Sequence, residues 1–489
     1  MSRMDWAERH FFVAAEPGPE TAVGLGEAGI AFHTGDWVGA VDGYLDALGG
    51  CADPLGPLLR VLHGLDRLCA WDARREVAET LAPLLDEVAE GERPPTLEPM
   101  CHLSLPLDAA RFRRLATQNA ELAATAVEDL PPLPQPVPLA GRKFRVGIVS
   151  LDWRSHTCGL PLAPISDALV DLGVEVVSYS LGPASRAMTG ARHEYRNLTQ
   201  LEPSDAAVVI AADRVDALID TTRHTRGGAA WLAWNRLARV QVAGWGYGGT
   251  TGGSCMDAFV TDSLMAPAGS EDEFCERLLR LPFCLPMASE PLPALTERSG
   301  PPVAACFAAS YKIGAETFAG WLRLMRAVPD LRLMLTDPGA QTAANLAAEA
   351  AAAGIDAGRL MFVPRLDRGV HLRRLAEGVD LVLDVAALGG SASIPDAMVA
   401  GVPALAVSGG GGPAEAGGAA MLTACGFADW IAEGQEAHLD QAARLLSDRA
   451  ALARARGAMR EAQPVQRLAA AGAVKPLVDA LEEMWAAAG

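Results

Sequence analysis

From Phe144 onward the chain repeats one arrangement: a short apolar run, an amphipathic stretch, then another apolar run. A strand covered by helices on both faces is apolar almost throughout, and parallel strands need a crossover helix between them, so this alternation reads as parallel βα units. Residues 144–151, 174–181, 216–220, 240–245 and 258–261 are the expected strands of a first series, with a helix over 162–172. Residues 303–308, 331–335, 360–363, 381–385 and 404–407 are those of a second series. A proline-rich stretch, 286–302, separates the two. The fold class is therefore α/β with two Rossmann-like lobes, 143–285 and 303–460. Two such lobes on a short linker place a crevice between the carboxyl ends of both sheets, where ligands usually bind.

Before the first lobe the texture is helical, and residues 1–130 are expected to form a helical N-terminal domain. In it Gly35-Asp36-Trp37, Ala40, Tyr44, Ala47 and Leu48 are similar to the second half of a tetratricopeptide repeat, with small residues letting two helices approach and Tyr44 filling the gap. A plain helical hairpin is the alternative, and helices over 54–69 and 73–88 would cap either. The prolines between 131 and 138 exclude helix and inner strand, making 131–142 an extended linker. Residues 461–489 close the chain as helices, the last over 474–487 with Leu477, Leu481 and Trp485 on one face.

The 489-residue chain carries a net charge of −19 with no basic stripe, which argues against a nucleic-acid partner. Every apolar run is interrupted before the ~18 residues a membrane helix needs. The first residues are unlike a secretory signal, and nine cysteines lie scattered without a CxxC pair or a histidine cluster. These features lead us to expect a cytoplasmic protein with reduced thiols and no metal site.

Chemistry is expected in the loops that follow the strands. The first reads Ser150-Leu151-Asp152-Trp153-Arg154-Ser155-His156-Thr157-Cys158-Gly159-Leu160-Pro161. His156 stands there between a strand's carboxyl end and a helix N-terminus, a position that favours a neutral imidazole able to meet a substrate hydroxyl. The glycines of Gly244-Trp245-Gly246-Tyr247-Gly248-Gly249-Thr250-Thr251-Gly252 would let backbone amides approach an anionic or sugar ligand closely.

The order of these segments resembles the catalytic region of the protein O-GlcNAc transferase and SPINDLY family, over roughly 141–489. That family has a Ser-x-Asp-aromatic run followed by a histidine. It also has Asp-Leu-x-Gly-His-Thr, here Asp220-Thr221-Thr222-Arg223-His224-Thr225, and a glycine-rich loop closely similar to 244–252 followed by a pair matching Met256-Asp257. Phe307-Ala308-Ala309-Ser310-Tyr311-Lys312-Ile313 is similar to the segment whose lysine contacts the donor diphosphate. The stretch 388–398 resembles the family's nucleotide loop, and His371 resembles a residue of the helix flanking the nucleotide base. The resemblance implies a metal-independent GT-B glycosyltransferase without a cofactor. His156, His224 and Lys312 would be catalytic; Gly249, Thr250, Thr251, Gly390, Ser391, Ala392, Ser393, Asp396 and His371 would bind the donor. A positioned ammonium ion suits this chemistry, because charge builds on the departing phosphate. Helix-end amides would take the phosphates, and Asp396 the ribose.

The chain also departs from that pattern. Relatives carry Gly-His-Thr-Thr where this chain has Gly390-Ser391-Ala392-Ser393, and Ser-Arg where it has Glu415-Ala416. UDP-GlcNAc is the default donor that the resemblance implies, with CMP- or GDP-sugars as alternatives. The expected partner is an acceptor protein, flagellin among the candidates, docked by the N-terminal helices and modified on Ser or Thr. A non-catalytic scaffold that retains the fold, and a sugar-nucleotide epimerase, are the competing readings.

Overall fold

The structure, a computed structural model, describes residues 19–94, 108–127, 138–139, 141–185, 192–225, 227–254, 256–287, 298–385, 393–408 and 416–488. The chain divides into two compact units, one of residues 1–13, 87–289 and 468–489, the other of 14–86 and 290–467.

The described residues begin with the helices α1 (Pro19–Thr34), α2 (Trp37–Ala47), α3 (Leu55–Leu68) and α4 (Trp71–Glu90), and α5 (Ala109–Ala124) comes next among them. The Asp36 carboxylate accepts from the Gly39 amide and starts α2, satisfying a donor that the helix itself leaves open. Tyr44 is fully buried between α1 and α2, edge-on to Phe32 at 6.3 Å. Its placement is the one expected for a helical hairpin. The helical stretch is shared between the units: α1 to α3 and most of α4 belong with the second α/β series, and α5 with the first.

The first unit holds β1 (Arg145–Ser150), α6 (Leu162–Asp171), β2 (Glu175–Ser180), β3 (Glu194–Asn197), α7 (Pro203–Ala212), β4 (Ala217–Asp220), β5 (Val240–Ala243), β6 (Ala258–Asp262) and β7 (Arg277–Leu281). Its seven strands are all parallel, in the order β3-β2-β1-β4-β5-β6-β7. Side chains along β1 alternate between two cores. Val146 and Ile148 meet α6 and the final helix through Ile165, Leu169, Leu477 and Leu481, whereas Val149 meets Ala206 and Ile210 of α7. Each such aliphatic side chain, wholly removed from water, contributes about 1.5–3 kcal/mol.

The second unit holds β8 (Val303–Cys306), α8 (Ala315–Ala327), β9 (Arg332–Thr336), α9 (Ala340–Ala352), β10 (Leu360–Val363), α10 (Arg368–Gly378), β11 (Leu381–Leu383) and α11 (Ser393–Ala400). It continues with β12 (Ala404–Ser408), α12 (Gly417–Ala424), β13 (Ile431–Glu433), α13 (Gly434–Ser447), α14 (Arg449–Glu461) and α15 (Pro464–Arg467). The strands run parallel in the order β10-β9-β8-β11-β12-β13. Helix α16 (Ala470–Ala487) returns to the first unit.

Each expected strand is present, with three more at or next to sheet edges. β3, β7 and β13 read Glu-Tyr-Arg-Asn, Arg-Leu-Leu-Arg-Leu and Ile-Ala-Glu, too short or too charged to register as buried runs. β5 stops at Ala243, and two residues later Trp245 takes a left-handed backbone with φ 40°. α16 begins at Ala470, four residues earlier than expected, and includes Pro476. Among the described residues no helix is long and apolar enough to cross a membrane, and the seven described cysteines are all free.

Candidate functional site

Each parallel sheet has one place where the chain reverses its direction of travel across the strands. In the first unit it lies between β1 and β4, and in the second between β8 and β11. Crossovers leave such neighbours on opposite faces, which opens a crevice at their carboxyl ends. His156 follows β1, His224 follows β4, Lys312 follows β8, and the stretch 386–392 follows β11. Each unit thus carries part of its candidate set at its own switch point, while Gly249, Thr250 and Thr251 follow β5 and His371 follows β10.

In the loop after β1 the chain doubles back, with Arg154 N donating to Asp152 O at 2.6 Å, His156 N to Arg154 O at 2.7 Å and Gly159 N to His156 O at 2.8 Å. This folding brings His156 Nδ1 to 3.2 Å from Asp152 Oδ2, and Cys158 N lies 3.4 Å from the same nitrogen. The Asp152 carboxylate, with Cys158 adding to it against the opposing effect of burial, pushes the His156 pKa up to about 9. The neutral imidazole expected from the helix end therefore gives way to a charged one, because a carboxylate in contact outweighs a helix end. Burial favours the acid form of Asp152, but His156 and Arg154 outweigh it and hold its carboxyl below the usual range.

The loop after β4 is ordered by Asp220, whose Oδ1 accepts from Thr222 N, Thr222 Oγ1 and Arg223 N at 2.8, 2.8 and 3.2 Å. His224 is buried, and its Nε2 donates to Thr251 O at 2.6 Å. Burial pulls its pKa down to about 4, so the ring is neutral and its unpartnered Nδ1 is an acceptor. Arg223 stands where the family pattern has glycine, and it keeps a glycine-like backbone with φ 43°. Its guanidinium is buried over the Phe259 ring at 4.8 Å, and Nε and Nη1 have no hydrogen-bond partner.

Gly249, Thr250 and Thr251 lie beneath α5. A Cβ on Gly249 would come within 2.6 Å of the Phe112 ring, so the close approach that this glycine permits is to a helix. Thr250 Oγ1 donates to Glu276 Oε2 at 2.6 Å and Thr251 N to Glu276 Oε1 at 2.7 Å. Both threonines are buried and tie the loop to the residue just before β7. A recess of about 480 Å³ lined by Arg239, Asp257, Arg277 and Glu483 lies at the amino ends of β5, β6 and β7.

In the second unit Lys312 ends a short helical turn, Ser310–Lys312, that the N-terminal helices hold in place. The last carbonyls of α3 have no partner within the helix. Ser310 Oγ donates to Arg67 O at 2.8 Å and Asn345 Nδ2 to Leu68 O at 2.8 Å. Trp71 Nε1 donates to Ile313 O at 3.1 Å, and the Arg67 guanidinium lies 4.3 Å from the Tyr311 ring centre. These contacts join residues between 242 and 277 positions apart, and nothing local in the sequence announces them.

His371 on α10 and Asp396 in the first turn of α11 come together, Nε2 to Oδ2 at 3.8 Å, with the His371 ring edge-on to Phe307 at 4.7 Å. Arg368, one helical turn before His371, holds the same carboxylate at 3.0 Å. Sequence reasoning missed this arginine, although its i, i+3 spacing to His371 was a signal. Burial pulls the His371 pKa below its ordinary value, with Asp396 opposing. Ser393, which opens α11, is buried; Gly390, Ser391, Ala392 and Glu415 lie outside the described residues.

Residues 68–291 and 301–470 match the profile of glycosyl transferase family 41. The chain is 24% identical over 376 residues to the probable UDP-N-acetylglucosamine–peptide N-acetylglucosaminyltransferase SEC of Arabidopsis thaliana, covering 70% of this chain and 38% of that protein. It is 26% identical to the SPINDLY protein of Petunia hybrida, covering 65% and 36% respectively. The chain thus spans little more than a third of these curated relatives. Among solved structures, a lysine-to-methionine mutant of the O-GlcNAc transferase of Thermobaculum terrenum is similar with a TM-score of 0.69 and 25% identity, over 96% of this chain and 98% of that one.

Proposed function

Because the chain belongs to glycosyl transferase family 41, we propose that it transfers N-acetylglucosamine from UDP-N-acetylglucosamine to Ser or Thr hydroxyls of an acceptor protein. The observation that carries this reading is the grouping of residues at the two switch points. Imidazoles stand at one, and an ammonium ion, a helix N-terminus and a nucleotide-side carboxylate stand at the other.

The chemistry divides accordingly. Cleaving the sugar–diphosphate bond builds negative charge on the leaving group, and Lys312 supplies the compensating cation. The α11 N-terminus at Ser393 adds backbone amides. Asp396, held by Arg368 and His371, receives the ribose hydroxyls, with Phe307 and His371 flanking the base. In the first unit the part-exposed His156 orients the acceptor, and the buried His224 steadies the glycine-rich loop through Thr251 O. The N-terminal helices, on which Val23 and Ile30 remain exposed, dock the acceptor protein. The donor is a substrate, and the scheme uses no cofactor.

Calorimetric titration of the full chain with UDP-N-acetylglucosamine, and with GDP- and CMP-sugars as controls, tests the donor. Saturable heat with the UDP-sugar alone is expected. Heat only with another nucleotide sugar would replace the donor, and no heat with any of them would leave a protein that keeps the fold without the chemistry.

A further inference from the structure

The loop after β1 holds a second kind of chemistry that the transfer reaction does not use. Asp152, His156 and Cys158 each offer one ligand atom, and these atoms lie within 4.8 Å of one another. Oxygen, nitrogen and sulfur together are a donor set suited to zinc and similar ions.

The loop itself gathers the three donors. The backbone bonds that double the loop back bring positions i, i+4 and i+6 to one side, and Gly159 allows it, since any Cβ there would run into the carbonyl oxygen of Asp152. Asp152 is anchored by its amide, which donates to Ser150 Oγ at 3.0 Å. Two ligands of a tetrahedral ion with bonds of about 2.05 Å sit about 3.3 Å apart, and His156 Nδ1 and Asp152 Oδ2 are 3.2 Å apart. Arg154 occupies Oδ1 of Asp152, leaving Oδ2 on the histidine side. The His156 side chain is 41% exposed, which leaves an entry path and a coordination position for water.

We propose that Asp152 Oδ2, His156 Nδ1 and Cys158 Sγ form a binding site for a thiophilic divalent cation such as zinc, with water completing the tetrahedron. Binding releases to solvent the proton between His156 and Asp152 and that of the Cys158 thiol. The bound ion then occupies His156 Nδ1 and stops transfer, making the loop an inhibitory site. That consequence rests on the function proposed above; the binding itself does not.

Cobalt(II) is the probe, because it takes zinc geometries and reports a thiolate ligand by a near-ultraviolet charge-transfer band. Titrating the reduced full chain should give that band together with visible bands of four-coordinate cobalt. Cys158→Ser should abolish the thiolate band and weaken binding on the order of 100-fold. His156→Gln should weaken it similarly while the thiolate band survives at high cobalt, and Cys275→Ser, at an exposed cysteine elsewhere in the unit, should change nothing. Circular dichroism of each variant confirms folding. No thiolate band in the unaltered chain, or a band that persists in Cys158→Ser, overturns the site whether or not the protein transfers sugar.

Discussion

Trp71→Phe removes one hydrogen bond and little else. The indole Nε1–H donates to Ile313 O at 3.1 Å, while the ring packs on Phe318 at 5.6 Å, a contact that phenylalanine largely keeps. Ile313 is 4% exposed, so its carbonyl is left in a dry setting without this donor. A buried acceptor deprived of its partner costs about 1–3 kcal/mol. The cost falls on the turn that carries Lys312. If 1–2 kcal/mol of it is spent on holding the ammonium in its working position, the transfer rate falls by about 5- to 30-fold. Arg67→Met removes the cation over Tyr311, an interaction worth about 0.5–1 kcal/mol when partly exposed. Because both side chains steady the same turn, the double variant should lose less than the product of the single losses. Initial rates of UDP release at saturating and limiting donor, read beside thermal midpoints, are the assay. A Trp71→Phe variant with a lowered midpoint but unchanged kcat would show that the N-terminal helices only stabilise the second unit, and would refute the argument that they position its lysine.

Three further outcomes follow from the same geometry. Asp396→Asn should leave the fold intact and weaken UDP binding by about 10- to 150-fold, as one charge-assisted bond is worth roughly 1.5–3 kcal/mol; unchanged calorimetric affinity would remove Asp396 from the ribose. Arg368→Gln should lower donor affinity by a smaller factor, because it frees the Asp396 carboxylate to move without deleting it, and an effect larger than that of Asp396→Asn would contradict this order. Burial holds His224 and His438 to about 4 and His63 to about 3. Their contribution is therefore complete above the unfolded pKa of about 6.5 and is lost as pH falls toward 4, since the unfolded chain binds these protons first. Three protons give a slope of up to about 4 kcal/mol per pH unit in that window; urea midpoints that stay level from pH 7 to pH 5 would contradict it.

What the sequence showed of the fold is what depends on local periodicity. The buried strands of both sheets are continuous apolar runs and were legible; β3, β7 and β13 are too short or too charged for the same signal. The candidate residues of the loops were legible as positions after strands, but their chemical state was not. Asp152 was visible in the His156 segment, yet only the doubled-back backbone sets its carboxylate against the ring and reverses the expected neutral form. The glycine-rich loop signalled close approach, but not that the Phe112 ring of a helix more than a hundred residues earlier lies against Gly249. The docking of Trp71 onto Ile313 was hidden for the same reason: no window of sequence contains both partners.

The central claim is that this chain moves a sugar and that Lys312 carries the departing charge. Intact-mass spectrometry of cell-lysate proteins incubated with the full chain and UDP-N-acetylglucosamine tests it most directly, with Lys312→Met in parallel. A sugar-sized increment on protein with the unaltered chain, reduced at least about 100-fold by Lys312→Met while UDP still binds, is the predicted result. An increment that survives Lys312→Met undiminished, or none at all although the donor binds, would contradict the account.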